Sequence, residues 1–225
     1  MAAVKELVPP LLAGDTLTWE EFERRWDATP ELKFAELIGG KVYMPPPLSV
    51  EHGERDADVI FFFRHYAIGT PGTKVATNAT CRMLEDAPQP DACLRIHEDC
   101  GGASRVSGKY LHGTPELVAE VCVSSAAYDL HEKRELYQHS GVQEYLAILE
   151  FEREIRWFRL KAGKYVLLKP GADGILRSQV FPGLWLYAQA LLKSDMARVV
   201  EVLNAGLASA EHAEFAALLN KRKKK

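Results

Sequence analysis

PELVAEVCVSSAAYDLHEKRELYQHSGVQEYL, residues 115–146, decides the fold and carries an anomaly. LVAEVCV is an apolar run of strand length, yet Glu120 stands at its centre. A buried carboxylate without a partner costs on the order of several kcal/mol, so this residue needs a cation, a metal or water. Alternation places Glu120 on one strand face with Val118 and Cys122, and Val121 and Val123 on the other. If the sheet is covered on both sides, neither face suits a lone acid. The segment Asp129–Ser140 that follows has helical spacing. At about 100° per residue, Lys133 falls in the arc of Leu130, Leu136 and Tyr137, while His131, Glu132, Glu135, Gln138 and His139 face the other way. A lysine therefore points where the core residues point, toward the strand that carries Glu120.

Outward from this stretch, the pattern is that of strands and helices in alternation. LTWEEFERRWD reads as a short amphipathic helix capped by Thr16 or Thr18, with Trp19, Phe22 and Trp26 on one face. KFAELIGGKVYMPPP reads as two strands about a Gly39-Gly40 turn, and residues 49–67 as a helix. QPDACLRI and QEYLAIL read as strands, HEDCGGASRVSGKYLHGTP as an exposed loop or hairpin, and EIRWFRLKAGKYVLL as a hairpin turning at Gly163. FPGLWLYAQALL reads as a last short pairing and turn. Two helices close the chain after Ser194 and Ser209, with Gly206 as the stop between them. No repeat or linker divides the chain. The expectation is one α/β domain over 1–225, a mixed central sheet flanked by helices with added hairpins. Its core spans about residues 17–193, and residues 194–225 form C-terminal helices and a basic tail.

The 225 residues include 47% hydrophobic and 26% charged, a globular composition. No apolar run has the length of a membrane span and the first residues do not resemble a signal peptide, which together predict a cytoplasmic protein with no membrane partner. Formal net charge is −3, and because the last five residues, KRKKK, are all basic, the rest of the chain carries −8. That balance argues mildly against constitutive, tight DNA binding. The four cysteines fit no disulfide framework and are expected to be reduced. Cys93, His97 and Cys100 have the spacing of half a zinc site, but a fourth ligand and a second knuckle are missing.

A second acid, Asp91, opens the apolar run ACLRI directly after Pro90. If Asp91, Glu120 and Lys133 converge, two carboxylates with a backbone carbonyl suit Mg²⁺, and the ammonium can orient an attacking water. Those are the parts of a phosphodiester hydrolase. A plain buried ion pair between Glu120 and Lys133, with Asp91 as a turn residue, accounts for the same residues without chemistry.

Pro90-Asp91, Glu120 in AEVCV and Lys133 in YDLHEKRELY together resemble the PD-(D/E)XK nuclease superfamily. More narrowly, LTWEEF, AELIGGKVYMPPP, QPDACLRI, PELVAEV, YDLHEKRELYQHSGVQEYL and FPGLWL occur in the order of the Uma-two-type putative restriction endonuclease family. The resemblance implies a restriction-endonuclease-like fold and a Mg²⁺- or Mn²⁺-dependent endonuclease acting on DNA, with a nuclease-fold module that binds nucleic acid or protein without cutting as the alternative. Asp91 and Glu120 would be its metal ligands, Lys133 its motif lysine, and Glu36 in AELIGG a supporting acid. The usual lysine two residues after the glutamate is replaced by Cys122, and Lys133 on the next helix takes its place. Asp129 and Tyr137 also match family positions and are read as a helix cap and a core aromatic. His52, near a helix start after the proline-rich turn, either contacts the site or is a helix-surface histidine, and the surface reading is preferred. A homodimer is expected, since cutting two strands is simplest with two related sites.

Overall fold

The computed structural model describes residues 8–122 and 129–223, so Val123 and the side chains of Asp129 and Leu130 lie outside the described residues. Helix α1 (Trp19–Asp27) starts where Thr18 Oγ1 accepts the Glu21 amide, which settles the cap. Strands β1 (Glu36–Ile38) and β2 (Lys41–Tyr43) pair across Gly39 and Gly40, whose φ angles of 59° and 74° belong to the left-handed region that favours glycine. Helix α2 (Val50–Gly69) begins at Ser49, whose hydroxyl accepts the His52 amide. There follow β3 (Thr73–Thr77), β4 (Cys81–Arg82), β5 (Ala92–Ile96), the hairpin of β6 (Ser104–Ser107) and β7 (Tyr110–Gly113), and β8 (Leu117–Cys122). A π-helical turn at Asp129–Lys133 runs into α3 (Arg134–Ser140). Strands β9 (Glu144–Leu149), β10 (Glu154–Lys161), β11 (Lys164–Leu167), β12 (Ile175–Arg177) and β13 (Trp185–Tyr187) lead to helices α4 (Ala188–Leu192), α5 (Met196–Leu207) and α6 (Ala210–Lys223).

The central sheet has the order β11-β10-β9-β8-β5-β3. Only β8 and β9 pair in parallel within it; the other neighbours are antiparallel, so the sheet is mixed as expected. Both faces are covered, and β8 and β9 are buried at every position. On one face Val59, Phe62, Phe63 and Tyr66 of α2 pack with Leu94, Ala119, Val121 and Ile148. Val199, Leu203 and Leu219 join that cluster, so the closing helices belong to the main core. On the other face Leu136 and Tyr137 of α3 pack with Cys93, Val118, Cys122 and Tyr145. The alternation read from LVAEVC holds: the even positions face α3 and the odd ones face α2.

Two polar residues tie this core together. Arg55 of α2 donates to the carbonyls of Leu191 and Leu192 and to Glu150, joining α2 to α4. Glu144 is buried at the start of β9 and accepts from Ser178 Oγ (2.7 Å), Trp157 Nε1 (3.1 Å) and the amides of Gln179 (2.7 Å) and Val180 (3.3 Å). Burial still pushes its carboxyl up to about 7 against those donors.

Two expectations are corrected. Gly206 lies inside α5 and does not stop it; a Cβ there would sit 2.2 Å from the Gly183 carbonyl oxygen, so the glycine permits a close helix–loop approach. The Cys93–His97–Cys100 set is not gathered: Cys93 faces α3 and touches Cys81, Cys100 lies in the core on the α2 face, and His97 pairs with Asp99. The two thiols lie in different core clusters, so the three do not form a zinc site. All four cysteines are buried and none forms a disulfide.

Candidate active site

Glu120 and Lys133 meet as their two periodicities require. Glu120 is 3% exposed and Lys133, the last residue of the π-helical turn, 6% exposed. The Lys133 Nζ lies 3.1 Å from both Glu120 carboxylate oxygens. Glu36 of β1 enters the same cluster from the other side, with its Oε1 also 3.1 Å from Nζ. The Gln89 amide donates to that Oε1 at 2.6 Å, fixing the acid on the hairpin. One ammonium therefore bridges two carboxylates drawn from β1 and β8, which offsets part of the burial penalty that either acid would suffer alone.

Tyr137, one turn beyond Lys133, donates its hydroxyl to Glu120 Oε1 at 2.5 Å. Burial first, and then the charges of Glu120 and Glu36, hold this phenol well above the usual tyrosine range, so it is a neutral donor. The sequence reading treated Tyr137 as a core aromatic. It is buried, and it is also a partner of the central acid.

Asp91 stands one residue before β5. The ladder pairs Ala92 with Ala119, so Asp91 is at the next step beside Glu120. There the ladder ends, and the Asp91 side chain takes over: its Oδ2 accepts the Val121 amide at 2.8 Å. The same oxygen lies 3.6 Å from His52 Nε2. His52 is 8% exposed and Asp56, one turn further along α2, is 7% exposed, so both face inward. Of the two readings of His52, the surface one is corrected and contact with Asp91 is what the structure has. The Asp91 contact chiefly raises the His52 pKa, whereas burial chiefly pushes Asp56 up to about 6 with the Asp91 charge adding to it. His52 Nδ1 and Asp56 Oδ1 are buried without a hydrogen-bond partner among the described residues. Sequence reasoning missed Asp56; its signal was the spacing of four residues from His52, which puts both on one helix face.

The structure thus gathers Glu36, Glu120, Lys133 and Tyr137 on the α3 side of β8, and Asp91, His52 and Asp56 at the adjacent strand end toward α2. Among the described residues, no group of three or more His, Cys, Asp or Glu side chains is spaced to hold a metal ion. The donor chemistry nevertheless fits a hard divalent cation: Asp91 and Glu120 offer carboxylate oxygens on neighbouring strands, and Asp91 Oδ1 accepts no hydrogen bond among the described residues.

The family model described as Uma2, "Putative restriction endonuclease", matches residues 19–189. The chain belongs to this family. The matched residues include Glu36, Asp91, Glu120 and Lys133, so the whole candidate site falls within the family region. A crystal structure of "a putative nuclease belonging to DUF820" from Anabaena variabilis ATCC 29413 superposes with a TM-score of 0.55 at 15% identity, covering 78% of this chain and 99% of that one. At that identity the likeness establishes the fold. No curated protein matches the Uma2 chain. No helix among the described residues is long and apolar enough to cross a membrane. Membership and fold together support a nuclease at the family level.

Proposed function

We propose that this Uma2 family member is a Mg²⁺- or Mn²⁺-dependent endonuclease that hydrolyses DNA phosphodiester bonds. Asp91 and Glu120 would hold the ion, Lys133 would orient the attacking water, and Glu36 would assist. The observation that carries the reading is the contact of Lys133 with Glu120 and Glu36 at 3.1 Å, three charges from chain-distant elements buried at one place.

The side chains suit these roles by their restraints. Tyr137 and Lys133 fix the Glu120 carboxylate, and the Gln89 amide fixes Glu36, so Lys133 is aimed from two sides. An ammonium has three donors, so a water or a phosphoryl oxygen is within its capacity beside those acids. The Val121 amide and His52 hold Asp91 by one oxygen and leave the other for a ligand. When bound, a divalent cation supplies a lowered pKa to its water and neutralises charge developing on the phosphoryl group.

Plasmid DNA incubated with the purified protein and Mg²⁺ or Mn²⁺ is expected to be nicked, and Glu120→Gln or Asp91→Asn to abolish nicking. Cleavage that persists unchanged in both variants refutes the assignment. One observation favours a second reading, a nuclease-fold module that binds without cutting: Lys133 and Tyr137 both hydrogen-bond the Glu120 carboxylate. Calorimetric titration with Mn²⁺ separates the two. Heat that disappears in Glu120→Gln supports hydrolysis, and a wild type that gives no heat supports the binding module.

A further inference from the structure

A groove of about 530 Å³ opens at the far end of α2 from His52. Arg64 of α2, Lys74 of β3, His97 and Lys223 of α6 line it, and Asp99 is its one lining acid. We propose that this groove is a docking surface for the phosphate backbone of duplex DNA.

The charge pattern carries the inference. Arg64, Lys74 and Lys223 are exposed and form no salt bridge among the described residues. Lys161 and Lys164 on the opposite edge of the sheet are also exposed without a salt bridge among the described residues, so the distinguishing feature of Arg64, Lys74 and Lys223 is that they line one concavity. Asp99 stays an exposed acid at the rim, its amide donating to His97 Nδ1 at 3.2 Å, so the three cations outnumber the one carboxylate. Arg222 donates to the Cys100 carbonyl at 3.4 Å and ties the end of α6 to the groove wall, beside Lys223. The result is a local cluster of cations on a chain of net charge −3, assembled from three separate elements.

Geometry favours a long polyanion over a small one. From residue 52 to residue 64, α2 advances about 18 Å at its ~1.5 Å rise per residue. A duplex strand presents a phosphate about every 3.4 Å, so the groove stands about five base pairs from the Asp91 end of the same helix. This inference goes beyond the proposed hydrolysis and does not require cleavage.

The test is anisotropy of a labelled 20-base-pair duplex with the full chain in EDTA, between 50 and 200 mM salt. Wild type is expected to bind with a salt-dependent affinity. Arg64→Gln/Lys74→Gln/Lys223→Gln is expected to weaken binding at least tenfold and to lower the logarithmic salt slope by about three. Lys161→Gln/Lys164→Gln, on the opposite edge of the sheet, should change neither. Circular dichroism checks that the variants fold. A triple variant equal to wild type, a wild type that does not bind, or polyglutamate competing as well as unlabelled duplex at equal charge overturns the proposal. Binding retained in Glu120→Gln while nicking is lost keeps the groove and the chemistry separate.

Discussion

An ammonium wedged between two buried carboxylates is stable only while all three charges are present. Replacing Lys133 with Met leaves Glu36 and Glu120 facing each other in the interior, and the expected cost is about 3–5 kcal/mol, read as a fall in denaturation midpoint. A midpoint unchanged at neutral pH would mean the triad is solvated. Glu144 makes a separate, pH-dependent prediction. Its carboxyl sits near 7 in the folded chain against an ordinary 4.5, so the folded state holds the proton more tightly than the unfolded state does. Its contribution to stability therefore falls as pH rises from about 4.5 to about 7 and is level above that. Midpoints measured across this range should slope less in Glu144→Gln than in wild type; parallel profiles would show that another group carries the dependence. At this scale the sequence was partly legible. Glu120 and Lys133 each broke a clear apolar pattern, and two periodicities pointed them at each other. Glu36 came only from the family resemblance, because β1 has three residues, all buried, and shows no alternation. His52 and Asp56 lie in the polar first half of α2; their spacing of four residues puts them on one face, but nothing local says that this face is the buried one.

Among the elements, the turn that carries Lys133 and the helix that carries Gly206 resisted reading for different reasons. The Asp129–Lys133 segment was expected as ordinary helix, and its π-helical winding has no compositional signature; such turns recur at functional sites because they re-aim a side chain. Gly206 looked like a terminator by residue type, whereas the deciding fact is the tertiary approach of Gly183. Two glycine substitutions should therefore differ in sign. Gly206→Ala is expected to destabilise by about 1–3 kcal/mol through overpacking. Gly53→Ala, on an open face of α2 with nothing within 4 Å of the new methyl, should stabilise by about 0.5–1 kcal/mol. Chemical denaturation of both checks the pair, and a shift of the same sign would sink the distinction. The hairpins and most strand assignments were legible because turn glycines and alternating apolar runs are local signals.

For the whole molecule, the mixed sheet and its two covered faces followed from the strand patterns, but the strand order did not. The closing helices read as a tail, and their share in the α2-side core emerges only from packing. The basic groove was equally hidden, since net charge cannot reveal that Arg64, Lys74 and Lys223 become neighbours. If the proposed cleavage of duplex DNA uses two symmetric sites, sedimentation should give about twice the 25.1 kDa chain mass; a monomer under all conditions would count against paired sites. The division of the cysteines has a practical consequence. Cys100 belongs to the core on the α2 face, next to α6, whereas Cys81, Cys93 and Cys122 belong to the core on the α3 face. Alkylating reagents reach such thiols only when the covering layer lifts. Peptide-resolved labelling rates would thus time the breathing of each layer independently, and show whether nucleic acid quiets one side before the other.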